Sequence, residues 1–155
     1  MVYAAQGMVG VGDMIVRARL VIEAMYEAWA AGDLPRAMSS FAQHVVFAVR
    51  APARAQTYLG NGCSRREFQR RIEAFLGEFK VAEFEVLNIV PSADGWQQCR
   101  VRYRYVHKRT GMDIDGTMRH DLRIDGDRVV QFMVSHDAER MGAFFQLVAR
   151  ERVGA

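Results

Sequence analysis

Ile15, Ala18, Ile22, Met25 and Trp29 recur at alternating spacings of three and four, a pattern that predicts an amphipathic helix. Asp13 is placed to cap it. Arg19, Glu23 and Glu27 form its wet side, with Arg19 and Glu23 one turn apart and able to pair. Gly32 ends this helix. Asp33 opens a short second one, with Pro35 in its first turn, that stops near Phe41. The β-branched and aromatic run HVVFAV (44–49) predicts a strand, and RAPARAQTYLGNG (50–62) a loop. Ser64 and Glu67 form a capping box for a third helix that buries Phe68, Ile72, Phe75 and Phe79.

After Gly77 the period changes to two. VAEFEVLNIV (81–90) reads as a strand, and WQQCRVRYRYVHK (96–108) alternates more clearly. Cys99, Val101, Tyr103, Tyr105 and His107 share one face; Arg100, Arg102 and Arg104 share the other. KRTG closes a hairpin. On the next strand Ile114, Gly116, Met118, His120, Leu122 and Ile124 oppose Asp113, Asp115, Thr117, Arg119 and Asp121. A last strand buries Val130, Phe132, Val134 and His136. A closing helix buries Met141, Phe144, Phe145 and Val148. Three helices with a strand inserted among them, then an antiparallel meander and a closing helix, give an α+β fold with helices packed on one face of a curved sheet.

The turn Asp125-Gly126-Asp127 sets which residues face each other. Read as a three-residue loop, it puts Leu122 opposite Val130, His120 opposite Phe132, and Gly116 opposite His136. The apolar sets of both strands then coincide, as a one-sided sheet requires. His120 and His136 share the inner face, about 13 Å apart along the strand direction, too far for one metal ion. Asp121 points outward. Asp137 stands at the strand end, where it can equally cap the last helix.

Composition narrows the function. The 155 residues suit one domain: a flexible tail over 1–12, rich in Gly and Ala, then a single domain over 13–155. Cys63 and Cys99 form no CxxC, which argues for reduced thiols in the cytoplasm and against a zinc ribbon. No apolar run reaches a membrane span, and the N-terminus has neither a basic leader nor a sustained apolar core. A net charge of +3 falls short of a nucleic-acid footprint. There is no metal-ligand spacing, phosphate loop or nucleophile elbow, so no metal and no cofactor is expected.

YEAWAAGDLPRAMSSFAQHVVFAV (26–49), the Ser64–Phe79 segment and RIDGDRVVQFMVSHDAERMGAFF (123–145) together resemble the SnoaL-like and ketosteroid-isomerase-like proteins of the nuclear transport factor 2-like superfamily. The resemblance covers about residues 14–150. It implies a cone-shaped α+β barrel. The curved antiparallel sheet wraps a long N-terminal helix around an internal cavity for a small apolar organic ligand. It also implies a homodimer through the outer face of the sheet, and isomerase, polyketide cyclase or dehydratase chemistry. Carried over position by position, the isomerase's helix-one Tyr falls on Met25, beside Tyr26. Its general-base Asp falls on or beside Val49, which cannot take a proton. Its oxyanion-hole Asp falls on His120, and a cavity Trp on His136. An acid/base Asp of the cyclases has its nearest match in Asp137.

His120, His136 and Asp137 are therefore the candidate catalytic groups. An imidazole titrates near neutral pH, and in an apolar cavity it stays neutral and hydrogen-bonds a carbonyl. Tyr26, Trp29, Tyr58, Tyr103, Tyr105, Met118 and Phe132 are the candidate binding residues. The competing reading makes both histidines core groups satisfied by neighbours such as Tyr103 or Tyr105. Arg65, Arg66, Arg70 and Arg71 are expected to be a solvated helix face. The expected activity is cofactor-independent proton transfer next to a carbonyl. The alternative is a non-catalytic ligand-binding or protein-interaction domain of the same fold.

Overall fold

The computed structural model describes residues 10–49 and 60–153. Helix α1 (Val11–Ala30) starts one turn earlier than expected. Gly10 precedes it and Asp13 lies in its first turn instead of at the cap. Ala18, Ile22 and Met25 are buried as the stripe predicts, joined by Tyr26 and Ala28. The Arg19–Glu23 pair forms at 2.8 Å. Helix α2 (Leu34–Met38) is capped by Asp33, which accepts from the Arg36 backbone N–H at 3.1 Å.

Strand β1 (Phe41–Val49) is followed by β2 (Asn61–Gly62), which pairs with it antiparallel. Helix α3 (Arg65–Glu78) begins at Ser64, whose hydroxyl accepts from the Glu67 N–H at 3.1 Å. Phe79 was expected on this helix. It has already turned extended (φ −120°, ψ 142°) and opens β3 (Phe79–Pro91). Strands β4 (Trp96–His107), β5 (Asp113–Asp125) and β6 (Arg128–Ser135) and helix α4 (Ala138–Val153) complete the chain.

The strands form one sheet in the order β2-β1-β6-β5-β4-β3. Two features differ from a closed antiparallel barrel. The sheet is unclosed, ending on β2 and β3, and β1 runs parallel to β6. A parallel pair needs a long crossover; here the intervening chain supplies it with α3 and the β3–β5 meander. The alternation read from β4 and β5 holds. Cys99, Val101, Tyr103, Met118, His120 and Leu122 are buried, while Arg100, Arg102, Arg104 and Arg119 are exposed. Outside, Arg102 pairs with Glu85 at 3.1 Å and Arg104 with Asp113 at 2.9 Å.

The β5–β6 register differs from the expected one. Asp125 pairs with Arg128, so the loop has two residues, Gly126 and Asp127. Gly126 takes the positive φ (61°) that a primed two-residue hairpin loop requires there. By itself, a loop one residue shorter would turn Phe132 and Val134 outward. A bulge prevents this: Ile124 pairs with Val129 but Arg123 with Gln131, leaving Val130 as the extra residue. Val129 is therefore fully buried in place of Val130, and the apolar faces match again. Beyond the bulge, Leu122 faces Phe132 and His120 faces Val134.

The core packs α1, α3 and α4 against the concave face. Phe47, 1% exposed, stacks on Phe68 with centroids 4.7 Å apart. Gly62 lies opposite Phe47 in the β1–β2 pair. A Cβ there would overlap the Phe47 ring and come within 2.9 Å of a Glu67 carboxylate oxygen. Because Phe47 is locked by Phe68, Gly62→Ala is expected to cost about 1–3 kcal/mol. Urea unfolding checks this; an unchanged midpoint would contradict the packing.

His107, on the same face as Cys99 and Tyr103, is 2% exposed under the β4–β5 hairpin. Its Nδ1 accepts from the Thr110 backbone N–H at 3.3 Å, and its Nε2 lies 3.7 Å from Glu78. It is a structural clasp between the hairpin and the end of α3. Among the described residues, no helix is long and apolar enough to cross a membrane.

Candidate active site

The concave face encloses a cavity of about 160 Å³. An apolar cavity near that size admits a benzene-sized guest. Helix α1 contributes Met25, Tyr26 and Trp29, while α3 contributes Phe68 and Ile72. Met118 and His120 come from β5, Phe132 and Val134 from β6, and Met141 from α4. Nearly all of this lining is apolar. The polar groups that interrupt it include Tyr26, His120 and His136.

These three groups meet because of the helix phase and the bulge. Tyr26 is adjacent to the Met25 stripe position and turns its hydroxyl across the core to His120 Nδ1, 2.6 Å away. The two-residue loop plus bulge advances β6, so His136 lies only two residues past Val134, the partner of His120. The observed register thus brings His136 nearer to His120 along the strand direction than the expected register did, and both line the cavity. The histidines influence each other. Burial, and then His136, lowers the His120 pKa to about 3. Burial also lowers that of His136, opposed by its own backbone and by Asp137. Burial raises the Tyr26 phenol, with Cys99 adding to the effect. At neutral pH the cluster therefore holds two neutral imidazoles and an un-ionised phenol.

His136 Nδ1 is buried with no hydrogen-bond partner. Buried polar atoms are nearly always satisfied, and this one belongs to a residue that lines the cavity.

Of the other expected residues, Trp29, Tyr105, Met118 and Phe132 line the cavity. Tyr58 lies outside the described residues. Tyr103 is not on the cavity: it stacks on Tyr105 (4.7 Å) and fronts a separate polar recess with Asp115, Asp137 and Arg140. Asp137 is exposed and also misses the cavity. It caps α4, accepting from the Arg140 backbone N–H at 3.1 Å. It takes the helix-cap place that its position at the strand end allowed. Arg140 in turn anchors α4 to the carbonyl and carboxylate of Asp115.

Val49 does reach the cavity wall, but as a hydrocarbon. Several further residues complete the wall, among them Phe84 and Arg71. Phe84 meets Trp29 edge-on at 5.9 Å. Arg71, expected in solvent, joins the wall beside Ile72 with its guanidinium 5.8 Å from the Phe47 ring and 3.1 Å from Glu67. Its signal was the i,i+4 spacing from Glu67 on the edge of the apolar stripe. Among the described residues, no group of three or more His, Cys, Asp or Glu is placed to hold a metal ion.

Solved structures share this architecture at low identity. An NTF2-like protein from Burkholderia thailandensis superposes with a TM-score of 0.69 at 20% identity, covering 81% of this chain and 95% of the other. An NTF2-like protein of unknown function from Burkholderia pseudomallei gives 0.68 at 19%, covering 81% and 94%. TerC, co-crystallized with polyporic acid, gives 0.68 at 12%, covering 84% and 98%. No curated protein matches the sequence. The SnoaL-like domain model matches residues 22–132, from the buried Ile22 of α1 to Phe132 opposite Leu122. With the nuclear transport factor 2-like cone around its cavity, the chain thus belongs to the SnoaL-like domain family.

Proposed function

We propose that the protein binds a one-ring, largely apolar carbonyl compound in its cavity and catalyses cofactor-independent proton transfer beside the carbonyl. Isomerisation, cyclisation and dehydration all begin with that step. His136 is the base. His120, backed by Tyr26, donates a hydrogen bond to the oxygen as it gains negative charge. One observation carries this reading: a neutral imidazole with an unpartnered ring nitrogen beside the Tyr26–His120 pair, in an otherwise apolar cavity. Apolar surroundings strengthen a hydrogen bond to a developing oxyanion.

The reading extends to the whole molecule. It takes the protein to be a cytoplasmic homodimer, paired through the outer sheet face that carries the Arg102–Glu85 and Arg104–Asp113 ion pairs. The rival reading is a non-catalytic ligand-binding or protein-interaction domain. It is favoured by Val49, which lines the cavity where the isomerases keep their base.

Exchange of the α-hydrogens of cyclohexanone in deuterated water separates the two. The enzyme reading predicts protein-dependent, saturable exchange at neutral pH. Exchange at the buffer rate, with cyclohexanone bound, would leave the rival.

A further inference from the structure

Arg71 plays no part in the proton transfer just described, yet it stands in the wall of the same cavity. Among the described residues of that wall it is the one with a permanent charge, since a guanidinium keeps its proton in proteins. Two groups hold its charged end. The Glu67 carboxylate, one turn back on α3, accepts from Nη2 at 3.1 Å, and the guanidinium carbon lies 5.8 Å from the centre of the Phe47 ring. Phe47 is itself locked on Phe68. Neither Glu67 nor Phe47 lines the cavity. The cation therefore stands at the cavity's border, held in place from outside it.

A cation at the border of an apolar cavity favours a ligand with an apolar body and an anionic end. The guanidinium fork matches a carboxylate, which it can hold by two parallel hydrogen bonds. The charge that opposes such a ligand is that of Glu67. Its side chain is 44% exposed and that of Arg71 26%, and an ion pair so accessible to water contributes little. Glu67 can therefore turn to solvent and yield the guanidinium to an incoming carboxylate. The imidazole end lies across the sheet. Phe47, under the guanidinium, is on β1, His120 is on β5, and β6 runs between them. A ring bound between the two sides would turn its carbonyl to the histidines and its anionic end to Arg71.

We propose that Arg71 is a specificity-determining residue: among one-ring carbonyl compounds it selects those that carry a carboxylate on the far side of the ring from the carbonyl. The ligand class is a cyclic keto acid. This rests on the proposed function for the carbonyl end alone. The carboxylate end requires only the cavity and Arg71.

The test is calorimetric titration of the full chain with 4-oxocyclohexanecarboxylate and with cyclohexanone. The keto acid is expected to bind about tenfold more tightly, the lower end of what a charge-assisted hydrogen bond supplies. Arg71→Met should erase that lead. Glu67→Gln, which can still accept from Arg71 but carries no charge, should widen it. Cyclohexanecarboxylate against cyclohexanecarboxamide makes the same comparison without a ketone, and so stands apart from the proposed reaction. Equal affinities within either pair, or acids that do not bind, would overturn the assignment. So would a lead that persists in folded Arg71→Met or, if that variant does not fold, one that Glu67→Gln fails to widen. Cyclohexanone exchange without a preference for the acids would remove the carboxylate site and leave the reaction standing. A preference for the acids without exchange would sink the reaction and leave Arg71 in its role.

Discussion

His136→Asn lowers protein-dependent exchange of cyclohexanone α-hydrogens by about 10²–10⁴-fold, the usual contribution of a positioned general base. Asn keeps a polar side chain of related size but accepts no proton near neutrality, so binding is retained while turnover is lost. The pH profile follows from the same group. Burial lowers the His136 pKa below its ordinary 6.5. The base is therefore already neutral at pH 7, and the parent rate is flat there. It falls only on the acid side, below 6.5. A His136→Asn variant with the parent's rate would remove His136 from the mechanism. A rate that rises as pH falls from 7 would do the same.

The second large effect is on stability in acid. His120 is 4% exposed, and its folded-state pKa is about 3, against 6.5 for a solvated imidazole. Between those two values the unfolded chain binds a proton that the folded chain does not. The folded state is therefore progressively disfavoured as pH falls through this window, and the contribution is fully present above 6.5. The loss is on the order of a few kcal/mol by pH 4. His136 shifts in the same direction and adds to it. His120→Gln, which cannot titrate but can still meet the Tyr26 hydroxyl, should remove most of this dependence. Urea unfolding at pH 7 and pH 4 for both proteins checks it. Equal acid losses in parent and variant would contradict a neutral, buried His120.

The parts of the fold that were legible are those where polarity alternates sharply. Arg100, Arg102 and Arg104 set against Cys99, Val101 and Tyr103 leave one possible orientation for β4. The α1 stripe is as clear, because a misplaced phase would bury Arg19 or Glu23. Legibility stops where both choices are apolar. Val129 and Val130 are chemically alike, so only the geometry of the turn decides which enters the core. Gly126, with its positive φ, decides for Val129 through a bulge. The same bulge brings His136 up to His120, so the spacing of the site was as hidden as the bulge.

The parallel β1–β6 pair is illegible for a different reason. It joins segments about 85 residues apart, and no local pattern records that contact. Tyr26 was noticed as the neighbour of Met25, but a helix position beside the stripe does not reveal a partner 94 residues away. Asp137 shows the converse case. One residue stood where a strand end, a helix cap and a family acid coincide, and the unsatisfied first turn of α4 took it.

The central claim is that both imidazoles face one cavity that takes a small carbonyl compound. Titrating the protein with cyclohexanone while following the side-chain nitrogen resonances of His120 and His136 tests it most directly. The expected result is that both rings shift together along one saturable curve. Met118→Trp, which fills the cavity, should abolish the shifts without unfolding the protein. Rings that stay still at saturating ketone, or that move identically in Met118→Trp, would contradict the claim.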